Sequence, residues 1–198
     1  MPSSAYDRRD LGFAAAALAF YAIHAGQQVW HGRGEDALWL CHLANLVLAV
    51  GFLFSSQRAL GAALMWLALG NVLWVGYLVQ GGEFVPTSIL THLGGLVLAA
   101  SACLRHGIPA GTWSVASVGL LVMQALARLC TPPEANVNVA WHSYPTWFSI
   151  YPMYLAVVDG AAAAVFWMME RAANCGAMLN AGGRLPHCHG RTPPQARH

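Results

Sequence analysis

Residues 59–79 read ALGAALMWLALGNVLWVGYLV, a run of 21 residues without a charge. At about 1.5 Å per residue, a helix of that length covers about 30 Å, the thickness of a bilayer's hydrocarbon core. A helix closes its own backbone hydrogen bonds, which lipid requires, so the run predicts a membrane-spanning helix. Five further apolar stretches surround it: Leu11–Trp30, Ala37–Phe54, Pro86–Leu104, Thr112–Leu129 and Trp147–Met169. None alternates polar and apolar residues as a barrel strand would. The expectation is an all-α, polytopic membrane protein. Its bundle of six transmembrane helices would occupy residues 1–174, with a loosely ordered cytoplasmic tail over 175–198, rich in Gly, Pro and Arg.

Composition agrees. Of 198 residues, 57% are hydrophobic and only 9% charged, whereas a soluble surface needs about a quarter. The net charge of +2 gives no broad field to attract nucleic acid. The five cysteines, Cys41, Cys103, Cys130, Cys175 and Cys188, lack the spacing of a disulfide scaffold. The first apolar stretch runs into Gln27-Gln28-Val29-Trp30-His31, a poor cleavage site, and reads as a retained helix rather than a signal peptide.

Arginine placement orients the bundle. Arg8, Arg9, Arg58, Arg105, Arg171, Arg184, Arg191 and Arg197 fall on one side, and only Arg33 and Arg128 on the other. The biased side is cytoplasmic by the positive-inside rule. Both termini are therefore expected in the cytoplasm, in a bacterial inner membrane. Membrane lipids are the expected partners, with a homo-oligomer or a larger membrane complex as further options.

Converting position into depth groups the polar residues. Counted from the outward end of its helix, Cys41 lies about 6 Å down, and His42 and Gln124 about 7.5 Å. His24 and His92 lie about 9 Å down, and Asn45 and Asn71 about 12 Å. A polar group left in hydrocarbon costs several kcal/mol unless paired, so a shared depth implies that these side chains face one another. Cys41 and Asn45, four apart, share a helix face. Asp159 is deeper, in the sixth stretch, where an acid needs a partner; Asn71, a histidine or an inward arginine are the candidates. Asn136-Val137-Asn138 and His142, with the aromatics around them, form an outward loop placed to fold over the polar layer.

Three readings follow. In the first, Cys41 is a nucleophile for lipid-directed acyl transfer or hydrolysis, deprotonated by His92 or His24 from a facing helix. Asn45, Asn71 or Asn138 would orient the base or bind an oxyanion. His42, adjacent to Cys41 and pointing about 100° away, is the poorer base. In the second, His24, His42 and His92, with His31 or His142, ligate zinc or haem, although no HExxH or CxxCH motif is present. In the third, the bundle is a transporter or an accessory subunit. His187-Cys188-His189 in the tail is a separate, weak metal-like pattern on the cytoplasmic side.

Three stretches resemble the YwaF-like integral membrane protein family. They are Leu40-Cys41-His42-Leu43-Ala44-Asn45-Leu46; Phe84 to Leu98, with Thr91-His92 and Gly94; and Asn136-Val137-Asn138 ahead of Tyr151-Pro152. The resemblance covers about a third of the chain, in short fragments. The broad group includes membrane phospholipid acyltransferases, and the resemblance implies Cys41 as the acyl-accepting nucleophile and His92 as its base. The chain departs from the pattern in carrying His42 and in placing its asparagine four positions after Cys41. The leading expectation is accordingly a Cys/His acyltransferase or hydrolase near the outer leaflet.

Overall fold

The computed structural model describes residues 8–143 and 150–180, the last five of these as backbone only. Among the described residues the chain is all-α with no strand. The helices are α1 (Arg8–Trp30), α2 (Leu40–Leu53), α3 (Gln57–Val79), α4 (Gly95–His106), α5 (Thr112–Cys130) and α6 (Tyr151–Asn180). A π-turn, Leu90–Gly94, leads directly into α4, and a 3-10 turn, Gly34–Leu38, precedes α2. Two more 3-10 turns, Pro133–Ala135 and Val137–Val139, follow α5. Three helices are long and apolar enough to cross a membrane: α3, α5 and residues Tyr151–Cys175 of α6, with mean hydropathies of 1.8, 1.5 and 1.5.

Three expected boundaries move. The second stretch is broken at Trp39, which is extended (ψ 137°), so α2 starts at Leu40 with 14 residues. Asp36 holds the break by accepting the Trp39 indole N–H at 3.1 Å. The fourth stretch does not enter a helix at Pro86; Val85 to Leu90 pass through turns before the π-turn. The sixth helix runs past Met169 to Asn180, into the segment expected to be a loose tail. His187-Cys188-His189 and Trp147 lie outside the described residues.

Packing uses small residues. Ala17, Ala44, Ala49, Ala63, Ala99 and Ala116 are all fully buried between helices. In lipid, apolar burial drives little helix association, and close backbone approach supplies the attraction instead. Two glycines make this concrete. A Cβ on Gly70 would sit 2.5 Å from the Cβ of Cys41, and one on Gly95 would sit 2.4 Å from Asn45 Oδ1. Only hydrogen fits at either place, and both contacts draw neighbouring helices onto α2. Val72, Leu73, Val97, Val118 and Leu121 point outward and are exposed, as lipid-facing side chains are.

Helices α1 to α4 pack as one group, and α5 with α6 forms a pair docked on α3. Glu170, on α6, fastens that pair. Its two carboxylate oxygens accept the backbone N–H of Gly111 (3.0 Å) and Trp113 (2.9 Å) at the start of α5. Those N–H groups have no partner within the helix, and the positive end of the helix favours an anion there. The same end of the bundle carries Asp10 against Arg105 at 3.2 Å and His106 at 3.9 Å. At the other end, where α1 gives way to α2, Arg33 pairs with Glu83 at 2.6 Å and Asp36 at 3.7 Å. The Glu83 hydrogen bond and its negative charge together raise the Arg33 pKa further above its ordinary value.

Candidate metal centre

A π-turn widens the helix by one residue and disturbs its hydrogen-bond ladder, and here the Gly95 N–H bonds the Leu90 and His92 carbonyls. Two asparagines from facing helices add side-chain bonds to the turn: Asn45 on α2 donates to the Thr91 carbonyl and Asn71 on α3 to the His92 carbonyl, both at 3.1 Å. Each amide also bonds its own helix, Asn71 to Leu67 O at 2.7 Å and Asn45 to Cys41 O at 3.3 Å. The π-turn is thereby clamped between α2 and α3, and His92 is held at its centre.

His92 is 3% exposed and stacks flat on Trp74, ring centroids 4.7 Å apart and planes 8° apart. His42, 6% exposed, meets the His92 ring edge-on at 5.5 Å. His24, 1% exposed, meets His42 from the other side at 4.2 Å. Cys41 Sγ and one nitrogen each of His42 and His92 lie within 4.8 Å of one another. Tetrahedral zinc with one sulfur and two imidazole ligands needs separations of about 3.3–3.6 Å.

Tautomers can be read from the acceptors. His42 Nδ1 lies 2.8 Å from the Asp36 carbonyl, which only accepts, so Nδ1 carries the proton and Nε2 the lone pair. His24 Nδ1 lies 2.8 Å from Thr87 Oγ1, whose own hydrogen goes to Gln27 Oε1 at 2.5 Å. His24 therefore also donates from Nδ1, and Gln28 Nε2 approaches its Nε2 at 3.3 Å. His92 Nδ1 is buried with no hydrogen-bond partner among the described residues. An outward N–H tied to a carbonyl with the other nitrogen left bare is how metal-ligating histidines are oriented.

The structure thus brings together Cys41, His42, His92 and His24, with Asn45 and Asn71 behind them. His42, expected to be the poorer partner of Cys41 because it points about 100° away, still brings a ring nitrogen within 4.8 Å of the thiol. The two residues bracket the α2 face turned toward His92, and the imidazole reaches back far enough to converge with the thiol. Gln124 does not join the cluster: on α5 it donates to Asp159 on α6 at 3.0 Å. Among the described residues Asp159 bonds Gln124 and none of its expected partners, because depth along a helix says nothing about the direction a side chain faces.

Asn138 lies beside the site rather than among its rings. Its Oδ1 accepts Leu40 N at 2.7 Å and its Nδ2 donates to Leu38 O at 3.0 Å, pinning the start of α2. It holds a left-handed backbone (φ 55°), as does Val139 (φ 52°), where a branched side chain is strained. Tyr151 bonds that strained residue's carbonyl at 2.7 Å. The outward loop thus folds back onto Leu38–Leu40, one residue before Cys41. His142 and His31 are exposed and stand apart from the cluster. Sequence reasoning missed the Asp36 carbonyl and Trp74. Trp74 was within reach of it, being three residues from Asn71 and so on the same face of α3.

Comparison with family models, with curated proteins and with solved structures finds no match to this chain.

Asn45→Leu keeps the size of the side chain and leaves the Thr91 carbonyl unpaired. A loss of about 1–3 kcal/mol is expected. Thermal unfolding in detergent checks it, and an unchanged midpoint would show that the π-turn needs no amide from α2.

Proposed function

We propose that this is a polytopic membrane protein that holds a transition-metal ion inside the α1–α4 group, through Cys41, His42 and His92. The observation that carries the reading is the imidazole orientation. The proton of His42 is committed to Asp36 O, a nitrogen of its ring lies within 4.8 Å of the Cys41 thiol and of a His92 nitrogen, and His92 Nδ1 is buried with no hydrogen-bond partner among the described residues. One thiolate and two imidazoles suit zinc or copper and reject magnesium and calcium, which need oxygen ligands. Three protein ligands leave a fourth position for water, a substrate atom or His24. The rings touch one another and Trp74, which suits an ion better than the flat slot of a haem.

Binding converts Cys41–SH and M²⁺ to a metal thiolate and releases one proton, so affinity falls as pH falls. The protein purified in detergent is expected to retain about one zinc or copper per chain, measured by plasma mass spectrometry. Cys41→Ser, His42→Ala and His92→Ala are each expected to lower affinity by more than about 100-fold, beyond what changes to residues behind the ligands usually cost. His142→Ala, an exposed site, serves as the control. Equal metal in all four variants overturns the reading.

Acyl transfer through Cys41 and His92 is the second reading, supported by the closeness of thiol and imidazole. It also needs room for a lipid ester, and the two cavities described lie elsewhere, beside Asp10 and beside Arg128. His42→Ala separates the readings: metal is lost, whereas a Cys41/His92 acyl reaction survives.

The same proposal takes all six helical stretches as spans, with both termini cytoplasmic in a bacterial inner membrane. Eight arginines against two support that orientation. Reporter fusions after Arg105 and within the loop after Cys130 are expected to register opposite sides of the membrane. The same side for both would contradict it.

A further inference from the structure

A cleft of about 230 Å³ opens between the last turns of α5 and the first turn of α6, independent of the cysteine–histidine cluster. Leu121, Gln124, Arg128, Ala140, Tyr151 and Leu155 line it. We propose that it holds a membrane glycerophospholipid, with its phosphate diester on Arg128 and its ester carbonyl above Gln124.

The guanidinium of Arg128 sits 5.3 Å from the ring centroids of both Trp141 and Tyr151. Cation–π attraction from two sides holds it without using its N–H donors. Among the described residues no carboxylate pairs with it, in contrast to Arg33 at the same end of the bundle, which Glu83 and Asp36 neutralise. Asp159 on α6 accepts a hydrogen bond from Gln124 at 3.0 Å. A planar guanidinium with free donors matches two phosphate oxygens at once.

Position fits as well. Arg128 lies two residues from the end of α5, flanked by aromatic rings of the kind that mark the membrane–water boundary. Gln124 is one turn deeper on the same face, about 6 Å along the axis, comparable with the glycerol unit between a phosphate and its ester carbonyls. Below both, Leu121 is 51% exposed and, with Leu155 across the cleft, offers an apolar wall to an acyl chain.

The test titrates the full chain in detergent with phosphatidylglycerol and, separately, phosphatidylcholine, reading bound lipid by native mass spectrometry. Phosphatidylglycerol is expected to bind the wild type about tenfold tighter than Arg128→Ala, as loss of a charge-assisted hydrogen bond implies. Arg128→Gln, a milder change, is expected to lose affinity in the same direction, and an unchanged thermal-unfolding midpoint in detergent reports that either variant is folded. Inorganic phosphate is not expected to displace the lipid; full displacement would show a free-anion site and overturn the proposal. Equal phosphatidylglycerol affinity in wild type and a folded Arg128 variant would also overturn it.

Discussion

Two amide hydrogen bonds, Asn45 to Thr91 O and Asn71 to His92 O, hold the rest of the site in place. The two amides come from α2 and α3, so each ties the π-turn to a facing helix. Docking in turn requires glycine at Gly95, where the Asn45 amide lies against the backbone, and at Gly70, where Cys41 does. The same contacts that satisfy the backbone therefore bring a thiol and two imidazoles to one point. Fold and site share a cause.

The two ends of the bundle differ in how they are closed. At the Asp10 end, α4 is tied to α1 by Arg105, and α5 to α6 by the Glu170 carboxylate. At the opposite end, the Arg33–Glu83 pair and the Asn138 bonds to Leu38 and Leu40 hold loops against helix starts. Asp36 joins that second set to the site: its side chain takes the Trp39 indole while its carbonyl takes the His42 proton. The break before α2 thus sets both where the helix begins and which nitrogen of His42 is bare.

How much of this could be read from the chain is instructive. The all-α class and the apolar helices were visible, since long uncharged runs admit few other structures. The expectation that His24, His42 and His92 would face one another agrees with their ring contacts. The Cys41–Asn45 spacing placed the amide on the thiol's face, where it bonds the Cys41 carbonyl. The rotation of α5 was hidden: Gln124 has the right depth and the wrong azimuth, and it serves Asp159 instead. The π-turn was hidden too, because Leu90-Thr91-His92 carries no local signal for an extra residue per turn. Glu170 fell just past the expected end of the last span, and its role depends on a contact 59 residues distant in sequence.

The most direct test of the centre is X-ray absorption at the edge of the metal bound to the purified protein. One sulfur at about 2.3 Å and imidazole nitrogens at about 2.0–2.1 Å are expected for zinc, with the sulfur lost in Cys41→Ser. A shell of oxygen atoms alone, or a sulfur that persists in that variant, would contradict a centre built on Cys41, His42 and His92.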